Sequence, residues 1–377
     1  MKVIHTLIST CFLIVLTACS TKEREKNINN CDSFNKKYTL KKEKTITFKL
    51  DSVTAPLIDY VKYVKIKDST YFTFLNQYNN TVYCYEYNSK KLNRKIKLTD
   101  PKKITGFEII SWNKILTYEY WSKRLTLQDS LGTIIKKITI PLKKENNGFY
   151  AMPTSHSPIT YNNGSIYLVG GRKDREKAKL SYNCVAKIDS SFSNIKYLYR
   201  FPEIYSKLFF GGYNYRMAVT YTYNPVKNAF IFNFPASHKL FSTKDFKNDE
   251  KYCAGSEYIK SINNFDDFKN KNNFQFVVEN GFYFCVLYDE YNKVYYRVSL
   301  LPSKYVEGEE YTRDMSVIIL DEKLNIVGEK VFKNKIDFSL KDINSLHVSS
   351  DGFMIQNRKS FSDEDILSFD VYKLLKS

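Results

Sequence analysis

The chain has 377 residues, 43% hydrophobic and 16% aromatic, with 58 Lys+Arg against 40 Asp+Glu and a formal charge of +18. That composition excludes a disordered chain, a collagen-like repeat and a multi-span membrane protein, and the length allows a large core without disulfide staples. Only 10 of the basic residues are arginine. Nucleic-acid readers depend on the arginine fork, so no nucleic-acid partner is expected.

The chain opens with Lys2 and an apolar run, Leu7 to Leu16, which is too short to cross a bilayer as a helix and suits the core of a signal peptide. The run ends in Leu16-Thr17-Ala18-Cys19, which resembles the lipobox of bacterial lipoproteins. The resemblance implies cleavage before Cys19 and acylation of its thiol. The expected organisation is a signal peptide over 1–18, a lipidated polar tether over 19–43 and one folded domain over 44–377. Several acyl chains hold a protein stably on a bilayer, so the membrane is an expected partner through Cys19. Ser20 in place of Asp resembles the enteric signal for the outer membrane, with the domain facing either the periplasm or the cell surface. Cys31, Cys84, Cys184, Cys253 and Cys285 remain. Their wide spacing marks no zinc site and leaves their pairing open, and buried thiols on strands are expected.

From residue 44 onward, runs rich in Tyr, Phe, Ile, Val and Thr alternate with short polar turns. A strand-turn-strand unit recurs at 82–98, 124–140, 184–201, 238–254 and 316–332. An Asx side chain stands at each turn: Asn88, Asp129, Asp189, Asp245 and Asp321. Such a side chain bonds the backbone two residues on and sets the turn. A sixth unit is split between the ends, with ILSFDVYKLL (366–375) as its first strand and TITFKL (45–50) as its second. Two further strands precede each unit. The expected fold is all-β, a six-bladed β-propeller closed by pairing of 45–50 with 366–375, which hides the sheet edges. Two β-sandwich domains are the alternative, and they leave the split unit unexplained.

With strands a to d counted outward from the axis, the a–b turns are short: KDST, WNK, NNG, NPVKN, DEYN and SDG. The long segments, 141–157, 171–182, 202–215, 255–280, 301–314, 333–342 and 358–365, fall on the opposite face, the expected working surface. They carry Phe149, Tyr150, His156, Arg172, Lys173, Arg175, Tyr205, Phe209, Phe210, Tyr213, Tyr215 and Arg216. Tyr258, Ile262, Phe265 and Phe268 are spaced for one face of a short helix. The expected ligand-binding set is Tyr150, His156, Arg172, Tyr213, Tyr215 and Arg216, on a shallow platform for a glycan or an envelope protein.

No phosphate loop, metal motif, calcium loop or nucleophile elbow occurs. His156, His238 and His347 lie far apart, and no catalytic residue, metal or cofactor is expected. Asp266-Asp267 and Glu309-Glu310 are neighbours in chain, whereas an acid/base pair must face a substrate from separate loops. The lipobox, the six-fold pattern, LYDEYNKVYYRVSLLP (287–302) and ILSFDVYKLLK (366–376) resemble a family of uncharacterised lipoproteins of gut bacteria, a domain of unknown function with a TolB-like six-bladed propeller. The resemblance implies the fold and an envelope location and carries no activity. The expected function is binding by an envelope propeller. The alternative is a carbohydrate-active enzyme, a lyase or glycosidase, on the same scaffold.

Overall fold

Alternating apolar residues and polar turns build six four-stranded antiparallel sheets in chain order. The computed structural model describes residues 36–56, 58, 60–99, 104–141, 149–172, 183–210, 218–265, 273–307, 312–337, 346–357 and 363–377. Blade 1 is β2 (Val61–Ile66), β3 (Ser69–Asn76), β4 (Thr81–Glu86) and β5 (Leu92–Lys97). Blade 2 is β6 (Ile104–Ser111), β7 (Lys114–Glu119), β8 (Arg124–Gln128) and β9 (Ile134–Thr139). Blade 4 is β15 (Thr220–Asn224), β16 (Ala229–Asn233), β17 (Lys239–Thr243) and β18 (Glu250–Cys253). Blade 5 is β19 (Phe282–Asp289), β20 (Val294–Leu300), β21 (Thr312–Leu320) and β22 (Ile326–Asp337).

Blade 3 departs from this plan. Its second to fourth strands are β12 (Ser165–Arg172), β13 (Asn183–Asp189) and β14 (Ile195–Arg200). Its inner strand is broken into β10 (Phe149–Ala151) and β11 (Thr160–Asn162), both paired to β12. Met152 still donates its N–H to the Val169 carbonyl of β12 (3.1 Å), and the residues that follow, 153–159, leave the sheet.

Blade 6 closes the ring. It orders β23 (Leu346–Ser349), β24 (Gly352–Gln356), β25 (Ile366–Lys376) and, outermost, β1 (Tyr38–Lys49). The register sets Ile46 opposite Phe369 and Phe48 opposite Leu367, as the split unit requires. β1 begins at Tyr38, so 38–43, expected as tether, are strand; Cys19 lies outside the described residues. The two ends of the folded domain are adjacent, with the Ser377 N–H bonded to the Lys37 carbonyl (2.9 Å).

Six clusters of buried apolar side chains fill the six seams between blades. The seam between blades 6 and 1 is rich in rings: Phe48 stacks on Phe72 (4.4 Å), and Phe72 meets Phe369 edge-on (5.5 Å). Burial of such rings supplies the main attraction between sheets.

The turns form largely as expected. Asp189 accepts from the Ser193 N–H (2.9 Å), Asp245 from Lys247 and Asn248 (both 2.9 Å), and Asp321 from Lys323 and Asn325 (both 2.9 Å). These bonds hold the Asp189 and Asp245 carboxyls down at about 2. Blade 1 differs. Glu86, not Asn88, sets its turn, accepting from the Asn88 and Ser89 N–H groups (3.1 and 2.6 Å). The longer Glu side chain reaches the same donors from the end of β4.

Tyr258, Ile262 and Phe265 do not form a helix, and Phe268 lies outside the described residues. The segment is tied to the preceding loop where the Phe265 N–H bonds the Phe209 carbonyl (2.7 Å). Helices form instead at α1 (Ile204–Lys207) and α2 (Asn273–Glu279). Cys84, Cys184 and Cys285 are buried free thiols, as expected, and burial pushes Cys84 up to about 12. Cys253 corrects that expectation: it is exposed on the outer strand β18 and disulfide-bonded, its partner lying outside the described residues.

Candidate functional site

Six inner strands surround one axis, and residues 153–159 cross it. The segment contains Pro153 and Pro158, which lack the N–H needed to continue β10 along β12. Its polar groups bond to the other blades instead. Ser155 Oγ accepts from the Val61 N–H of blade 1 (3.0 Å), and the Ile159 N–H donates to the Tyr60 hydroxyl (3.0 Å). Ser157 Oγ donates to the Val219 carbonyl (2.7 Å), and the His156 carbonyl accepts from the Tyr221 N–H of blade 4 (3.1 Å). A Cβ on Gly106 of blade 2 would come within 2.6 Å of Pro153 Cβ, so the glycine makes room for the segment.

His156 sits at the centre of this plug, 2% exposed. Its Nε2 lies 2.9 Å from the Leu346 carbonyl of blade 6, and its ring meets Phe284 of blade 5 edge-on (5.2 Å). A carbonyl only accepts, so Nε2 carries the proton of a neutral imidazole. Burial draws His156 down to about 4, and burial with the Arg297 charge does the same to His238. The unfolded chain therefore takes up protons below about pH 6.5 that the fold refuses until about pH 4. The stability contributed by the neutral rings is complete above pH 6.5 and is lost as pH falls through that window. Between pH 7 and pH 5 the loss is about 2 kcal/mol for each ring. Urea titrations at both pH values check this, and His156→Asn should remove about half of the loss.

The plug lies near the first residues of β2 and β23, at the end of the axis toward the long loops. Above it a funnel of about 430 Å³ opens on the other face, among the short a–b turns. All six blades line it. Blade 1 supplies Lys62 and Tyr63, blade 2 Glu108, and blade 6 Val348. Blade 3 supplies Ser155, Pro158, Thr160 and Tyr161; blade 4 Tyr221, Thr222, Tyr223 and Pro225; blade 5 Leu287, Tyr288, Glu290 and Tyr291. Tyr161 and Tyr291 are 37% and 48% exposed at the mouth. Tyr223 packs on Phe230 (4.8 Å) and Tyr288 on Tyr295 (4.9 Å). Deeper in, Lys62 forms an ion pair with Glu108 and donates to the Ile159 carbonyl (3.0 Å). Desolvation draws Lys62 down towards about 7, and the adjoining carboxylate opposes it by favouring the charged amine.

Grooves of about 600 and 520 Å³ also lie at the rim, between blades 4 and 5 and between blades 3 and 4. Each is bounded by two neighbouring blades, whereas the funnel is where the whole ring converges.

Of the residues expected to bind ligand, Tyr150 and His156 fall outside the funnel. Tyr150 is buried edge-on against Tyr120 (4.8 Å) with its hydroxyl donating to the Tyr120 carbonyl (3.3 Å), and His156 is the centre of the plug. Neither presents a free ring on the long-loop face. Arg172 ends β12, and its side chain, with Tyr213, Tyr215 and Arg216, lies outside the described residues. Phe149, Tyr205 and Phe210 are core rings. Sequence reasoning missed the funnel residues Lys62, Glu108, Tyr161, Tyr223, Tyr288 and Tyr291. The one available signal was a tyrosine near the end of several inner strands.

The model of a family described as a domain of unknown function (DUF4221) matches residues 37–331. The crystal structure of a DUF4221 member from Bacteroides vulgatus superposes with a TM-score of 0.77 at 22% identity, covering 91% of this chain and all of that one. A protein described as exported, from Bacteroides fragilis, superposes with a TM-score of 0.54 at 12% identity, covering 93% of this chain and 98% of that one. At these identities the likeness concerns the fold. No curated protein matches the sequence.

Proposed function

This chain belongs to the DUF4221 family, and from that premise we propose that it is an exported, lipid-anchored propeller that binds a ligand in its axial funnel. The observation that carries the reading is the convergence of all six inner strands on one open cavity, walled by tyrosines and floored by the plug. Ligand sites favour such concave, largely preformed places with a few convergent polar groups. The lipobox ending at Cys19 supports export and the anchor, and the structural neighbour from Bacteroides fragilis is itself described as exported. The outer membrane, facing the periplasm or the cell surface, is the location this reading assigns.

The anchored protein, immobilised in detergent, should retain an envelope component. Tyr223→Ala with Tyr291→Ala should lose it with little change in melting, because both rings stand at the open side of the core. Retention that survives the double variant removes the funnel from the proposal. Separately, Cys19→Ser should release the protein from the membrane fraction; a variant that stays there would refute the anchor.

A further inference from the structure

We propose that the funnel receives the free end of a neutral carbohydrate chain; the inference rests on the binding reading above and names its ligand. Four observations lead there.

The funnel is a dead end. The plug is tied by hydrogen bonds to blades 1, 4 and 6 and packs against blades 2 and 5. A polymer cannot thread the axis, so only an end can enter. The cavity is small, about 430 Å³, toward the low end of the range for ligand pockets, about 300–1,000 Å³. That suits one or two sugar rings.

The walls are flat and amphipathic. Tyr223 and Tyr288 are backed by Phe230 and Tyr295, and Tyr161 and Tyr291 are partly exposed at the mouth. A tyrosine offers an apolar face and a polar tip, which matches a pyranose with its axial C–H face and its rim of hydroxyls.

The charge inside is balanced. Lys62 and Glu108 neutralise each other. A charged ligand would take one partner and strand the other in a poorly solvated wall. An apolar ligand would strip water from both and return no bond. A polyol donates to Glu108 and accepts from Lys62 together. Glu290, at the solvated mouth, adds a further cost for anions.

The test is calorimetric titration of the mature lipoprotein in detergent with linear malto-, cello-, xylo-, manno- and laminari-oligosaccharides of about six units, with β-cyclodextrin and with trilysine. At least one linear sugar should bind with a dissociation constant below about 1 mM. Tyr291→Ala, and separately Lys62→Met with Glu108→Gln, should weaken it about tenfold or more. Where the maltose series binds, the cyclic form, which has no end, should not. If no neutral sugar binds while Tyr223→Ala with Tyr291→Ala still abolishes retention of an envelope component, the carbohydrate assignment falls and the funnel reading stands. Tight trilysine binding in place of sugar overturns it in favour of a cationic peptide. Cyclodextrin binding as tight as the linear sugar overturns the end-capture claim, and sugar binding unaffected by either variant overturns the site.

Discussion

Phe48→Ala is expected to lower the stability of the propeller by about 3–5 kcal/mol, the cost of truncating a fully buried ring. Phe48 is 0% exposed on β1, stacked on Phe72 and edge-on to Tyr85 (5.5 Å) and Phe369 (6.2 Å). It is contributed by the N-terminal strand to a sheet whose other three strands come from the C-terminus. A cavity there weakens the seam that joins the last blade to the first. Exposed Lys41, on the same strand opposite Lys373, is the control, and Lys41→Ala should change stability by less than about 0.5 kcal/mol. Urea denaturation at pH 7 separates the two. A Phe48→Ala loss under about 1 kcal/mol would mean that the seam collapses around the gap.

The second large effect is expected at Arg297. Its side chain is wholly buried at the seam of blades 4 and 5, and no carboxylate pairs with it among the described residues. Its donors go to Asn233 Oδ1 (2.9 Å) and to the Ala254 and Ser237 carbonyls (2.8 and 2.7 Å), and its plane lies over the Tyr283 ring (3.6 Å). Burial draws it down to about 10, so it stays charged at neutral pH. The guanidinium fork thus ties the loop 234–238 and the end of β18 to blade 5. Lysine cannot reproduce that planar fan, and methionine leaves the carbonyls without donors. Arg297→Lys and Arg297→Met should each cost about 2–4 kcal/mol in urea titrations at pH 7. An Arg297→Met protein as stable as the parent would show that desolvating the guanidinium cancels everything its bonds contribute.

Ring closure was legible because both halves of the split unit alternate apolar and polar residues, and a period of two fixes which residues face the seam. The true start of β1 was not. From Lys41 to Thr45 the strand is exposed, so an outermost strand rich in lysine carries no alternation to detect. The funnel was hidden for a different reason. Tyr221 and Tyr223 are two residues apart on one strand, yet Tyr221 is buried with its hydroxyl against Thr160 Oγ1 (2.8 Å) while Tyr223 is only partly buried. Periodicity places both on the same side and does not distinguish depth along the axis. The plug was hidden because a loop containing two prolines looks like a surface excursion. Its hydrogen bonds reach residues such as Leu346, 190 positions away, and no local pattern encodes that.

The meeting of the folded domain's two ends has a practical consequence for cell biology. The backbone of Ser377 is one hydrogen bond from Lys37, itself eighteen residues after Cys19. Given the anchoring proposed at Cys19, a fluorescent protein or affinity tag appended at the carboxyl end would leave the folded domain beside Lys37, on the side from which the chain runs back to the anchor. It would then compete with the bilayer for space, whereas an insertion at the exposed Tyr78 hairpin would hang clear of that junction.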